Sequence, residues 1–155
     1  MIHAAIVHDP ILNEDVLAHV GSDCDGAVLL FLGVVRDHAD GRAVTGMEYE
    51  SYEEMAVPVL REIAEEAAER IGSDRVAVVH RVGDLSIGEV SVAIAVSSPH
   101  RAESYEASRY VIEEIKKRLP VWKKEHYSDG REEWVRGTTP ERPRPAVPTG
   151  SEEGR

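Results

Sequence analysis

Cysteine is almost missing from this 155-residue chain: Cys24 stands alone. A single thiol closes no intrachain disulfide and supplies no Cys-based metal cluster. Its neighbours Asp23 and Asp25 would raise the thiol pKa, which argues against a catalytic thiolate. Aromatic residues are scarce too, at 5% with one Phe, so the core has to be aliphatic. No run approaches the ~18 apolar residues of a membrane span. Met1-Ile2-His3-Ala4-Ala5 lacks the basic-then-apolar order of a secretory signal, and a cytoplasmic location is expected. Lys and Arg number 18 against 29 Asp and Glu. The resulting net charge of −11 opposes binding to nucleic acid or an anionic membrane. The chain carries no Walker loop, dinucleotide glycine fingerprint or nucleophile elbow. Its seven histidines show no metal-ligand spacing, so neither a metal nor a bound cofactor is expected.

The length suits one domain with room for a small subdomain. Ile2 to Val7 reads as a strand, and Asn13 as the N-cap of a short helix. Gly26 to Arg36 is a nearly all-apolar strand with Gly33 as a bulge or close-approach point. Val44 to Tyr52 alternates as a second strand, expected to pair with the first. Ser51-Tyr52-Glu53-Glu54 matches a capping box opening a helix over Leu60, Ile63, Ala64, Ala67 and Ile71, with Pro58 awkward inside it and Gly72 as its stop. Strands follow at Arg75–Val82 and Val90–Val96, with a turn over Gly83–Gly88 between them. A helix from about Pro99 to Leu119 carries the stripe Tyr105, Ser108, Ile112, Ile115 and Leu119. Pro120 ends it, Val121–Tyr127 is extended, and Glu132–Arg136 forms a last strand. Strands and two long helices mixed without strict alternation indicate an α+β fold. The last nineteen residues hold four of the eight prolines and almost no large apolar side chain, so residues 137–155 are expected to be a disordered tail.

Charge is unevenly spread. From His100 to Glu125 there are seven Lys or Arg and five Glu, while the rest of the chain sums to −13. Ser98 and Pro99 suit the cap and first position of a helix, and the free N–H groups there, with His100 and Arg101 on the same turn, make an anion site. A capped helix end facing water is the alternative. Lys116 falls at the border of the buried stripe, where desolvation would lower its pKa and free its amine as base or nucleophile. Pro120 redirects the chain, so Lys123 can return towards Lys116, and two such ammonium groups would depress each other's pKa and hold an anion. The alternative is a basic helix end complementing its dipole. Arg36, at the end of the most apolar strand, is placed either to meet an anionic ligand or simply to reach solvent. His80 alternates with Val78 and Val82 and reads as a buried or half-buried histidine.

The strings FLGVVRDH (31–38), MEYESYEEMA (47–56), VAVVHRVGDLSIGEVSVAIAVSSPHRAE (76–103) and IKKRLPVWKKE (115–125) occur in that order. Together they resemble the MoaE family, the catalytic subunits of molybdopterin synthase. The resemblance implies an α/β-hammerhead-type domain with an additional small β subdomain, spanning residues 1–136. It implies a sulfurtransferase that is a homodimer within a heterotetramer, flanked by two small ubiquitin-like sulfur-carrier subunits. Their C-terminal Gly-Gly thiocarboxylates would give sulfur to cyclic pyranopterin monophosphate and build the dithiolene of molybdopterin. This chain ends Gly154-Arg155, so the carrier is expected to be another chain. By position, Lys116 and Lys123 match the family's active-site lysines, Lys116 as the essential one and Lys123 stabilising developing charge. Arg36, His100 and Arg101 match its anion-binding residues, and Lys124 and Glu125 adjoin the pocket by the same comparison.

Overall fold

A computed structural model describes residues 1–135. Arg136 and the expected Pro-rich tail at 137–155 lie outside the described residues. In chain order the elements are β1 (His3–Val7), α1 (Asn13–Leu17), β2 (Ala27–Val34), β3 (His38–Ala39), β4 (Arg42–Ser51) and α2 (Glu53–Ile71). They continue with β5 (Val76–Arg81), β6 (Gly83–Ser86), β7 (Val90–Ser98), α3 (Arg101–Arg118), β8 (Val121–Tyr127) and β9 (Glu132–Val135). This is an α+β fold. No helix among the described residues is long and apolar enough to cross a membrane.

Two sheets organise it. The first has the order β1-β5-β7-β2, with β1 and β5 parallel and the other pairs antiparallel. Its central strands are buried on both faces, which is why Val76–Val79 and Val92–Val96 read as unbroken apolar runs. Even-numbered Val76, Val78, Val92, Ile94 and Val96 meet α2 and α3 on one side. Ala77, Val79, Ala93 and Ala95 meet Val16 of α1 on the other. The second sheet runs β3-β4-β8-β9, with β6 also paired to β4.

Helix α2 buries Ala56, Leu60, Ile63, Ala64, Ala67 and Ala68, a stripe at three- and four-residue spacing. Gly72 ends it in the left-handed region, at φ 66°, where a side chain would be strained. Pro58 lies inside the helix on its exposed face, so the carbonyl it leaves without a helical donor can reach water.

Several expectations at element ends change. Ser51 is not a cap: it is the last residue of β4, opposite Val121, its Oγ is buried without a partner, and Tyr52 occupies the cap position. The cap of α1 is Leu12 rather than Asn13. β2 pairs with β7 and not with β4, because β4 is taken by β6 and β8. The expected turn at Gly83–Gly88 contains β6. β7 runs two residues further than expected, so Ser98 belongs to a strand. Its Oγ donates to the His100 carbonyl and lies 2.5 Å from Ser104 Oγ, which leaves His100 as the cap of α3. On α3 the buried stripe is Ser104, Ala107, Ser108, Val111 and Ile115, and Tyr105 faces solvent. The bulge expected at Gly33 is present, at Gly33/Val34. A Cβ at Gly33 would lie 2.7 Å from Val92 Cγ1, so the strands meet there only because the side chain is missing.

The entry to β2 is fixed by a part-buried ion pair. Arg75 donates to both carboxylate oxygens of Asp25, with Nη2 to Oδ1 at 2.6 Å, and Ser97 Oγ donates to Oδ2 at 2.7 Å. The Asp25 side chain is 1% exposed. These hydrogen bonds, Arg75 first, hold its carboxyl down at about 2 against an ordinary 3.8. A depressed folded-state pKa contributes stability that is complete above the ordinary value and drains as pH falls towards 2. Asp25→Asn should therefore cost about 2–3 kcal/mol at pH 7, leaving Arg75 only its longer pairing with Asp74 at 3.5 Å. It should also flatten the fall in stability between pH 5 and 2. Urea denaturation across that range measures both, and equal stabilities of variant and parent at pH 7 would show the pair to be incidental.

Candidate active site

The pocket forms where the second sheet meets the C-terminal half of α3. Leu119 closes α3 in an extended conformation and Pro120 turns the chain back. β8 then pairs antiparallel with β4, setting Lys123 opposite Tyr49, Lys124 opposite Glu48 and Glu125 opposite Met47. Two adjoining recesses result, of about 80 and 270 Å³, sharing Tyr49, Ser91, Val92, Ile112, Lys116 and Lys123 as walls. The inner one is completed by His80, Ile115, Leu119 and Val121, and the outer one by Arg36, His38, Met47 and Glu125 among others.

Lys116 sits in the last turn of α3 at the junction of the two recesses. Its ammonium is pushed below the ordinary lysine value of 10.5, first by burial, then by the charge of Lys123, then by that of Arg36. The return of Lys123 to Lys116 is as the spacing suggests, while Lys116 itself keeps an exposed surface and is only partly desolvated. Glu125 is 6% exposed and supplies a negative charge in the wall of the outer recess. The Tyr49 hydroxyl is raised above 10.0, chiefly by burial and also by Glu125, with a hydrogen bond to Ser91 opposing.

His80 is 5% exposed. Burial lowers its pKa to about 4, a hydrogen bond to the Arg81 carbonyl works against that fall, and the charge of Lys116 adds to it. It is thus a neutral imidazole in the wall of a cationic pocket. Its burial is legible in the alternation with Val78 and Val82. Its place in the pocket is not, nor are those of Tyr49 and Ser91, since all three depend on pairings between distant strands.

The structure gathers Lys116, Lys123, Arg36 and Glu125 around one space. It does not bring the other three expected residues there. Successive strand residues face opposite ways, so Lys124 lies on the far side of the sheet, over the Trp134 ring at 4.7 Å and 3.8 Å from Glu132. His100 and Arg101 are exposed at the opposite end of α3. At 1.5 Å per helical residue, Arg101 stands about 22 Å from Lys116 along the axis.

Outside this pocket, Glu48, Asp84 and His126 place one potential ligand atom each within 4.8 Å of one another. His126 Nδ1 is 3.0 Å from Glu132, and Asp84 is largely exposed. Nothing further marks the cluster as a metal centre.

Fold and pocket define an α+β domain with a cationic pocket walled by Lys116, Lys123 and Arg36. The model of the MoaE protein family matches residues 6–118, a stretch that includes Arg36, His100, Arg101 and Lys116 and stops short of Lys123. A protein of Halalkalibacterium halodurans named molybdopterin synthase catalytic subunit is 48% identical over 131 residues, covering 84% of this chain and 83% of its own. The protein of the same name from Bacillus subtilis is 45% identical over 130 residues, covering 84% and 82%. The crystal structure of molybdopterin synthase from Staphylococcus aureus superposes with a TM-score of 0.81 at 40% identity, covering 85% of this chain and 96% of that one. This chain belongs to the MoaE family.

The charge of Lys123 should be visible in the behaviour of Lys116. Lys123→Ala removes a like charge, so the Lys116 midpoint should rise towards the ordinary lysine value. The pH dependence of Lys116 acylation, read by mass spectrometry, tests this. An unmoved midpoint would leave burial and the charge of Arg36 as the causes.

Proposed function

We propose that this chain is the catalytic subunit of a molybdopterin synthase. It takes sulfur from the C-terminal thiocarboxylate of a small ubiquitin-like carrier and delivers it to cyclic pyranopterin monophosphate, forming the dithiolene in molybdenum cofactor biosynthesis. The observation that carries this reading is Lys116, an amine with lowered pKa held beside Lys123 and Arg36 in one recess. An amine with a lowered pKa gives up its proton more readily than an ordinary lysine, and so can act at the thiocarboxylate carbon or move a proton. Lys123 stabilises the negative charge that builds as sulfur moves, and Arg36 offers a planar fork to the substrate's phosphate. Glu125 limits the excess of positive charge. Lys124, on the other sheet face, acts on this pocket only indirectly.

His100 and Arg101 hold phosphate in this reading only if a second copy brings them to the pocket, because one rigid helix separates them from Lys116 in the same protomer. A homodimer flanked by two carriers, in the cytoplasm, is the assembly we propose. The outer recess, at about 270 Å³, is of a size to receive a narrow peptide end such as Gly-Gly.

Single-turnover conversion of cyclic pyranopterin monophosphate with thiocarboxylated carrier tests the reading. Wild type should form product, and Lys116→Ala should be slower by about a hundredfold, or roughly 2.7 kcal/mol of barrier. A folded wild type that binds the carrier without forming product would be a binding module and not an enzyme. Product from an unimpaired Lys116→Ala would move the chemistry to Lys123.

A further inference from the structure

Strand β7 has one residue more than its neighbour needs. Gly33 lies opposite Val92, but the next residue of β2, Val34, lies opposite Val90. Ser91 is therefore the extra residue of a bulge. With strict alternation Ser91 would share the side of Ala93 and Ala95, which pack towards α1. Instead the consecutive residues Ser91 and Val92 both wall the inner and the outer recess. Re-aiming one side chain is what a bulge beside a site does. Gly33 leaves the room for it, since a Cβ there would lie 2.7 Å from Val92 Cγ1 and 3.7 Å from Ser91 Oγ.

Ser91 is buried, and its hydrogen is spent inside the protein: Oγ donates to the Gly33 carbonyl at 3.2 Å. Towards the pocket the oxygen offers only lone pairs. Acceptors are otherwise scarce where the two recesses join. Of the other residues that wall both, Lys116 and Lys123 as ammonium groups only donate, and Val92 and Ile112 are apolar. The Tyr49 hydroxyl is engaged with Ser91 itself. His80 walls the inner recess only, and Glu125 the outer only.

The sulfur-transfer reading, on which this inference rests, brings the C-terminal carbon of the carrier's Gly-Gly end to Lys116. The amide nitrogen of the last glycine is two bonds from that carbon, or about 2.5 Å. Its N–H is thus taken out of water at the junction of the recesses, beside cations that cannot accept it. A buried donor left without an acceptor is costly. We propose that Ser91 is a carrier-contacting residue, its Oγ accepting the hydrogen of that last amide and so fixing how the thiocarboxylate meets Lys116.

The contact can be measured without turnover, using a ubiquitin-like carrier that ends in an ordinary Gly-Gly carboxylate. A semisynthetic copy with its last amide replaced by an ester has no N–H to give. Titration calorimetry should show Ser91→Ala binding the amide carrier about fivefold more weakly, as for loss of one neutral hydrogen bond. The ester should weaken binding to wild type by a similar factor. Variant and ester together should still cost about fivefold, because both changes remove the same bond. Losses that multiply to about twenty-five-fold would overturn the contact and reduce Ser91 to holding Gly33 in the bulge. So would a Ser91→Ala chain that binds the amide carrier as wild type does. Ser91→Thr, which keeps the hydroxyl, should restore the preference for amide over ester. A wild type that shows the coupling but transfers no sulfur in a single turnover would instead sink the function proposed above and leave the contact standing.

Discussion

Beyond Pro120 the chain turns back from α3 and lies along β4, with Lys123 opposite Tyr49 and Glu125 opposite Met47. Side chains alternate between faces along a strand, so this register gives Lys123 and Glu125 to the recess and Lys124 and His126 to the other side. A slip of one residue would exchange the two sets. Contacts at the pocket wall and beyond it hold the register. Met47 and Leu85 pack with Val35 in a small apolar cluster, Arg42 pairs with Glu133 of β9 at 3.0 Å, and Lys124 lies over Trp134. In Lys123-Lys124-Glu125, chemically similar neighbours acquire different roles through strand geometry alone.

Gathering Lys116, Lys123 and Arg36 around one recess runs against their mutual repulsion. At effective dielectric constants between those of a protein surface and water, two unit charges 5 Å apart repel by roughly 1–3 kcal/mol. A flexible helix end would relax away from that repulsion, and the last turn of α3 is tied down against it. Arg118, two residues past Lys116, bonds to Glu66 of α2 at 2.7 Å and to Glu114 at 3.1 Å, and pairs with Glu62 at 3.3 Å. Tyr110 also donates to Glu66, at 2.7 Å. These acidic partners keep α3 docked on α2, so the repulsion appears as a lowered Lys116 pKa instead of a displaced side chain. An arriving anion would relieve it.

Local signals in the sequence identified what local physics decides. The two long helices, the stop at Gly72, the bulge at Gly33, the burial of His80 and the approach of Lys123 to Lys116 across Pro120 were all legible. These depend on periodicity, on a residue with special backbone freedom, or on two groups close in the chain. The β2–β7 and β4–β8 pairings were not legible, because alternation marks a strand without naming its neighbour. That limit hid Tyr49, Ser91 and His80 as pocket walls and the orientation of Lys124. Motif matching failed at Ser51 and Ser98 for another reason. Both residues are held in strands, and the ladder continues past the point where a cap was expected.

The two ends of α3 carry different kinds of positive charge. At one end Lys116 is partly desolvated and tuned; at the other His100 and Arg101 are exposed, next to a first turn without a side-chain cap. The uncapped N–H groups and the helix dipole favour an anion at that end. Eighteen residues of continuous helix, anchored to α2 and to the first sheet, do not bend to bring these groups together. A substrate small enough to fit the outer recess cannot touch both ends of one α3. If both sets of residues serve one sulfur transfer, the working unit has to contain two copies of the chain, with the exposed end of one α3 near the tuned end of the other. Only on that condition does the length of α3 make dimerisation a geometric requirement of the proposed chemistry; if His100 and Arg101 serve no part in it, one copy holds the whole pocket.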